Sequence, residues 1–164
     1  MNIENEIAQT IDNAFTYLKN QDKENIKRYF EYNTLISGLD DMILEGNNSE
    51  LEQELFKNIS WTIENIEFKG NEAVVIVEMS NKNFKEILTE WMKELINEKS
   101  NGYEITNDLI LKKLKEITEQ EKSTKSVIKK VILEKKENSW KINVNDDFIN
   151  LIYPGIDSVA EVLN

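Results

Sequence analysis

At 164 residues, 40% of them hydrophobic and 31% charged, the chain is long enough to bury roughly 70% of the surface its unfolded form exposes, so it needs no covalent staple. It has no cysteine and no histidine, which removes disulfides, thiol nucleophiles, cysteine or histidine metal ligands and imidazole acid-base chemistry, including histidine-dependent triads. A net charge of -11, with Arg28 the one arginine, argues against a nucleic-acid partner, because a basic footprint and bidentate guanidinium contacts are both missing; the charge by itself serves solubility.

Isoleucine, asparagine and lysine occupy 21, 21 and 19 positions, the signature of an AT-rich bacterial genome, so the asparagines are not read as chemistry. The longest apolar run, Ala73 to Val77, is far short of the roughly 20 residues that span a bilayer. MNIENEIAQT lacks the basic start and apolar core of a signal peptide, so no direct membrane insertion is expected; a leader ahead of Met1 stays open.

Ile3, Ile7, Ile11, Ala14, Phe15 and Leu18 recur at helical spacing and predict a first helix with one buried stripe. After a break at Asn20-Gln21, Asp22 is placed to cap a short second helix with Ile26, Tyr29 and Phe30 on one face. Residues 31–48 read as a partly helical excursion interrupted by Gly38 and Gly46. Ser49 with Glu52 three residues on has the form of a capping box, opening a helix that buries Leu51, Leu55 and Phe56.

Two hairpins follow, separated by helix. WTIENIEF and EAVVIVEMS flank Lys69-Gly70-Asn71-Glu72, and SVIKKVILEK and SWKINV flank Lys136-Glu137-Asn138. The alternation slips at Glu64-Asn65, which predicts a bulge or a later strand start. Apolar residues on both faces of 73–77 predict a central strand or a sheet face that meets a partner. Between the hairpins, Phe84, Ile87, Leu88, Trp91, Met92, Leu95 and Ile96 form the strongest helical stripe. Asn101-Gly102 ends it, and Thr106 or Asn107 caps a helix burying Ile110, Leu111, Leu114 and Ile117; these helices make a second excursion over 97–122. Asp146-Asp147 suits a last helix N-terminus, Pro154 ends that helix, and Val159, Val162 and Leu163 suggest a final turn. No linker divides residues 1–164, which are read as one domain.

FTYLKNQDKENIKRYF, then WTIENIEFKGNEAVVIVEMS, a helix and the closing strand SWKINV together resemble the nuclear-transport-factor-two-like domains, more narrowly those of lipoproteins of low-GC Gram-positive bacteria. The resemblance covers most of 3–145 and rests on order and pattern. It implies an α+β cystatin-like cone: a curved antiparallel sheet of about four strands wrapped around N-terminal and central helices, with a cavity between them and a sheet face that makes a homodimer. It implies nothing about substrate.

Trp61, Trp91 and Trp140 with Tyr29, Phe30, Phe68 and Phe84 are candidates for lining an apolar ligand cavity, against the plainer role of core packing. Tyr17, Tyr29 and Tyr32 with Asp40 or Asp41 are the residue types that move a proton beside a carbonyl, though no motif maps them onto catalytic positions. Asn143, Asn145 and Asp147 have oxygen-ligand spacing but lack the glycine and closing glutamate of a calcium loop, so a helix cap explains them better and no metal is expected. Glu50, Glu52 and Glu54 sit where a helix dipole favours negative charge and need no partner. The sequence therefore points to a non-enzymatic binding or interaction domain without a cofactor, its partner a small apolar ligand or a protein. It is expected to be extracytoplasmic and tethered through a leader. The alternatives are a carboxylate/tyrosine enzyme within the cone and a structural dimer built on the face of Val75 and Val77 or Val131 and Leu133.

Overall fold

The structure is a computed structural model describing residues 2–32 and 49–158, the side chains of Tyr32 and Ser49 excepted. The expected turns within 31–48, Asp40 and Asp41, and the Val159, Val162 and Leu163 tail lie outside the described residues.

Five strands, β1 (Phe30–Tyr32), β2 (Ser60–Lys69), β3 (Glu72–Lys82), β4 (Thr124–Lys136) and β5 (Ser139–Val144), form a curved, unclosed sheet in the order β1-β5-β4-β3-β2. The four long-range hairpin strands pair antiparallel, as expected, while the short β1 runs parallel to β5 and makes one strand more than the pattern suggested. Phe30 belongs to that strand and not to the second helix: at φ -114 and ψ 132 it is extended and pairs with Ile142. An apolar side chain one turn after Ile26 fits either state, so periodicity could not separate them.

Both hairpins close through two-residue turns that demand left-handed backbone. Gly70 supplies φ +61 in the first, and Glu137 and Asn138 take φ +52 and +65 in the second, the pattern of a type I′ turn that matches strand twist. The register between β2 and β3 shifts between Ile63 and Asn65, which is the expected bulge at Glu64.

Alternation sorts the two sheet faces. Ala73, Val75, Val77 and Met79 on β3, with Val131 and Leu133 on β4 and Trp140, Ile142 and Val144 on β5, are buried against helices. The proposed dimer face built on Val75, Val77, Val131 and Leu133 is thus corrected: those side chains are core. The opposite face carries Val74, Ile76, Ile132 and the 59% exposed Ile128, interleaved with Glu78, Lys130 and Glu134.

Among the described residues there are six α-helices: α1 (Ile3–Asn20), α2 (Lys23–Tyr29), α3 (Ser49–Phe56), α4 (Phe84–Ser100), α5 (Asn107–Gln120) and α6 (Asp146–Ile152). Left-handed Gln21 (φ +54) ends α1, and Asp22 caps α2 through Asn25 N at 3.3 Å. Helix α1 buries Ile7, Ile11, Ala14, Phe15 and Leu18 and packs against β2 and β5, while α6 packs on β3, β4 and β5. Thr106 caps α5 as expected, at 3.2 Å from Leu109 N. The long stripe of α4 is buried only in its first half, Phe84, Ile87 and Leu88; beyond Trp91 the helix pairs with α5, and Ile96 is 67% exposed. Burial stops there because the helix outruns the body.

The sheet and helices are tied at the end of β3. Asn81 is fully buried; its Nδ2 donates to Leu55 O and Ile152 O, both at 3.0 Å, and its Oδ1 accepts from Lys82 N at 2.8 Å. Those carbonyls lie in the last turns of α3 and α6, where no intrahelical donor remains. Lys82 follows, buried, with Nζ donating to Thr118 O in the last turn of α5 at 2.5 Å. Beyond α6, Pro154 O accepts from Phe84 N at 3.0 Å, and Gly155 (φ +95) passes so close to α4 that a Cβ would lie 3.0 Å from Lys85 N.

Asn81→Asp, which turns the amide donor into a third oxygen facing two carbonyls, is expected to cost about 2–4 kcal/mol in urea unfolding, more than Asn81→Leu. Gly155→Ala is expected to cost about 1–3 kcal/mol, clearly more than Gly102→Ala, where φ is +85 but the space is open. Equal losses at the two glycines would show that close approach to Lys85 is not a constraint.

Candidate functional site

The shortness of β1 builds a cleft. Its pairing with β5 covers Ile142, Asn143 and Val144, so Ser139, Trp140 and Lys141 have a strand neighbour only on the β4 side. On the other side the chain is still helical, and Arg28 and Tyr29, the last two residues of α2, stand where a longer β1 would have continued. Helix α1 supplies the remaining wall with Glu6, Gln9, Thr10 and Asn13, whose spacing of three, one and three residues puts them on one helical face beside the apolar stripe. The resulting open cleft has a volume of about 550 Å³.

Several contacts hold its walls. Asn13 Nδ2 donates to Tyr29 Oη at 3.3 Å, joining α1 to α2, and the Tyr29 ring lies 5.6 Å from that of Tyr17. Lys135 Nζ sits 5.9 Å from the centre of the Trp140 ring and 3.9 Å from Glu6 Oε2. Lys136 grips Glu31 through both carboxylate oxygens, at 2.7 and 2.9 Å, tying the β4–β5 turn to β1; that bond raises the Lys136 ammonium above the ordinary lysine range. Trp140 is only 5% exposed, and its Nε1 has no hydrogen-bond partner among the described residues.

Of the aromatic candidates, Tyr29 and Trp140 meet at this cleft and the others do not line it. Phe30 packs on Phe148 at 5.4 Å, and Phe84 on Tyr153 at 4.8 Å. Trp61 stands edge-on to Phe15 at 5.5 Å and donates to Asp12 Oδ1 at 2.9 Å. Trp91 donates to Ile110 O at 2.9 Å and so links α4 to α5, while Phe68 is 44% exposed near the end of β2. Asn145 caps α6, its Oδ1 accepting from Phe148 N at 2.9 Å, with Asp147 in the first turn. The polar lining of the cleft was missed because each residue looks ordinary alone; the signal available was the 6-9-10-13 stripe on α1 and the solitary arginine.

A second polar cluster lies on the far side of the core. The acidic residues of α3 do have partners, contrary to expectation: Glu50 pairs with Lys115, Glu54 with Lys57 at 2.8 Å and Lys82 at 3.5 Å, and Lys23 Nζ stands 2.8 Å from Glu52 Oε2. Glu52 is 1% exposed and its oxygens accept no directed hydrogen bond among the described residues, so it does not close the capping box. The bond from Lys57 lowers Glu54 below the ordinary carboxylate range. Burial lowers the Lys82 ammonium below the ordinary lysine value, with the Glu54 charge opposing. Because Lys82 Nζ is committed to Thr118 O and Glu54, this cluster is a clamp between α3, β3 and α5.

No family model and no curated protein matches the chain. A solved NTF-2-like protein of unknown function from Shewanella oneidensis MR-1 is similar at 13% identity over 85% of this chain and 93% of its own, with a TM-score of 0.49. The description of the fold as a curved sheet over helices stands on the strand order and registers themselves.

The lowered Lys82 has a pH consequence. Folding disfavours its charged form, so the unfolded chain binds more protons just below the ordinary lysine pKa of 10.5 and this residue's contribution grows as pH rises toward that value. The stability difference between the wild type and Lys82→Met is therefore expected to shift in favour of the wild type as pH rises from 7 toward 10.5 in urea titrations. A difference that stays flat would show that Lys82 is not held in a desolvated state.

Proposed function

We propose that the chain is a non-enzymatic binding module whose ligand occupies the cleft between α1, the end of α2 and the β4–β5 hairpin. One observation carries this reading: a cleft of about 550 Å³, within the range of small-molecule sites, is walled by polar side chains converging from three separate elements. The lining favours a hydrophilic ligand over the apolar one that the aromatic residues suggested. The enzymatic alternative ranks second because the groups it would use here are already paired with neighbours on the cleft walls, Tyr29 with Asn13 and Glu6 with Lys135. Tethering outside the cytoplasm extends the proposal and rests on the resemblance to lipoprotein domains; a native gene with no leader would remove that part.

A panel of small hydrophilic metabolites, followed by two-dimensional NMR, tests the central claim. Saturable shifts at Asn13, Tyr29 and Trp140, with the ligand recovered chemically unchanged, are expected. Shifts confined to another surface, or conversion of the ligand, would overturn it.

A further inference from the structure

Resting on that reading, we infer that the cleft selects a small, hydroxyl-rich carboxylate of one or two negative charges, the chemistry of a sugar acid or a small hydroxy acid, with Arg28 gripping the carboxylate.

Charge and valence on the cleft walls point this way. Its one carboxylate, Glu6, is the acid that Lys135 approaches, at 3.9 Å. Arg28 has no carboxylate within ion-pair distance among the described residues, and neither has Lys141; of the three cations lining the cleft, Lys135 is the one with an acidic neighbour. The chain's one arginine is thus an unclaimed planar fork, the geometry that binds a carboxylate through two parallel hydrogen bonds. The same cleft is lined by the amides of Gln9, Asn13 and Asn138, the Ser139 hydroxyl and Trp140, whose buried Nε1 has no acceptor among the described residues. Donors dominate, so the complement is a ligand rich in oxygen acceptors.

Two further features narrow the class. Trp140 is nearly buried with the Lys135 ammonium 5.9 Å from its ring centre, and Tyr29 is half-buried with the Tyr17 ring at 5.6 Å, so the lining offers an aromatic ligand little ring surface to stack on. In the cleft, Arg28, Lys135 and Lys141 against Glu6 leave two positive charges for a ligand to compensate, while the -11 of the whole chain slows the approach of a polyanion. A ligand of one or two negative charges is therefore favoured over a polyanion, with neutral hydroxyls beyond them.

The test titrates the full chain with glucuronate, glucose, benzoate and citrate by calorimetry and by the Trp140 indole NMR signal, in the wild type and in Arg28→Gln. Arg28 is exposed and unpaired, so the variant is expected to melt as the wild type does. Glucuronate is expected to bind and move the Trp140 signal, glucose, benzoate and citrate to bind at least about tenfold more weakly, and Arg28→Gln to lose about tenfold or more for glucuronate. Glucose or benzoate moving the Trp140 signal as strongly as glucuronate would overturn the inferred class while leaving the cleft as the site. Citrate binding more tightly than glucuronate would overturn the limit to one or two charges. Glucuronate binding unchanged in Arg28→Gln would overturn the role of the arginine, and no probe moving the Trp140 signal would overturn both the class and the cleft.

Discussion

Three helices of this fold end against the same two residues. Asn81 and Lys82, the last residues of β3, place donors on carbonyls in the closing turns of α3, α6 and α5, groups that burial would otherwise strand without partners. An unsatisfied buried carbonyl costs about 1–3 kcal/mol, so the dipeptide governs a sum comparable to a large part of a domain's net stability. It also fixes geometry, because an amide that bridges two helix ends sets their separation. Strand β3 is the second strand from one edge of the sheet, and through this node its position becomes the reference for every helix except α1, α2 and α4.

The cleft lies at the opposite edge and owes its existence to an incompletely paired strand. A β1 long enough to follow β5 back to Ser139 would have filled the space with backbone. The chain is instead helical through Tyr29, so side chains of α2 face the uncovered stretch of β5 across a gap. Edge strands exposed in this way are usually blunted by charge or cover. Here Arg28 and Lys141 provide charge and α1 provides partial cover, and the devices that would prevent aggregation also line a site. The Lys136–Glu31 pair holds the arrangement shut on its solvent side.

Much of the fold could be read from pattern because the determining interactions are local. Helix periodicity, the Asp22 and Thr106 caps, both two-residue turns and the bulge near Glu64 depend on residues within a few positions of each other. What escaped was long-range. Strand β1 is set by pairing with residues more than a hundred positions away, and the three residues Phe30, Glu31 and Tyr32 are too few to carry a period of their own. The partners of Glu50, Glu52 and Glu54 lie on α5, α2 and β3 as well as just beyond the end of α3, so a cluster that looked like dipole compensation proved to join separate elements. The aromatic candidates misled for a related reason. Large rings mark burial, and Phe30, Phe84 and Trp140 are indeed buried, but only two of the seven aromatic candidates reach the cleft, whose walls are made of residues that individually signal nothing.

Charge distribution reconciles an acidic chain with a cationic recess. At physiological ionic strength the Debye length is about 8 Å, so acidic residues on distant faces contribute little inside the cleft, where Arg28, Lys135 and Lys141 oppose Glu6 alone. The global charge then acts on encounter and the local charge on binding. Added salt weakens the first effect more than the second, because the repulsion is spread over the surface while a guanidinium–carboxylate contact is short. An anion-binding cleft on a chain of -11 should therefore gain association rate as ionic strength rises from very low values, the reverse of the behaviour of a site steered by its whole protein.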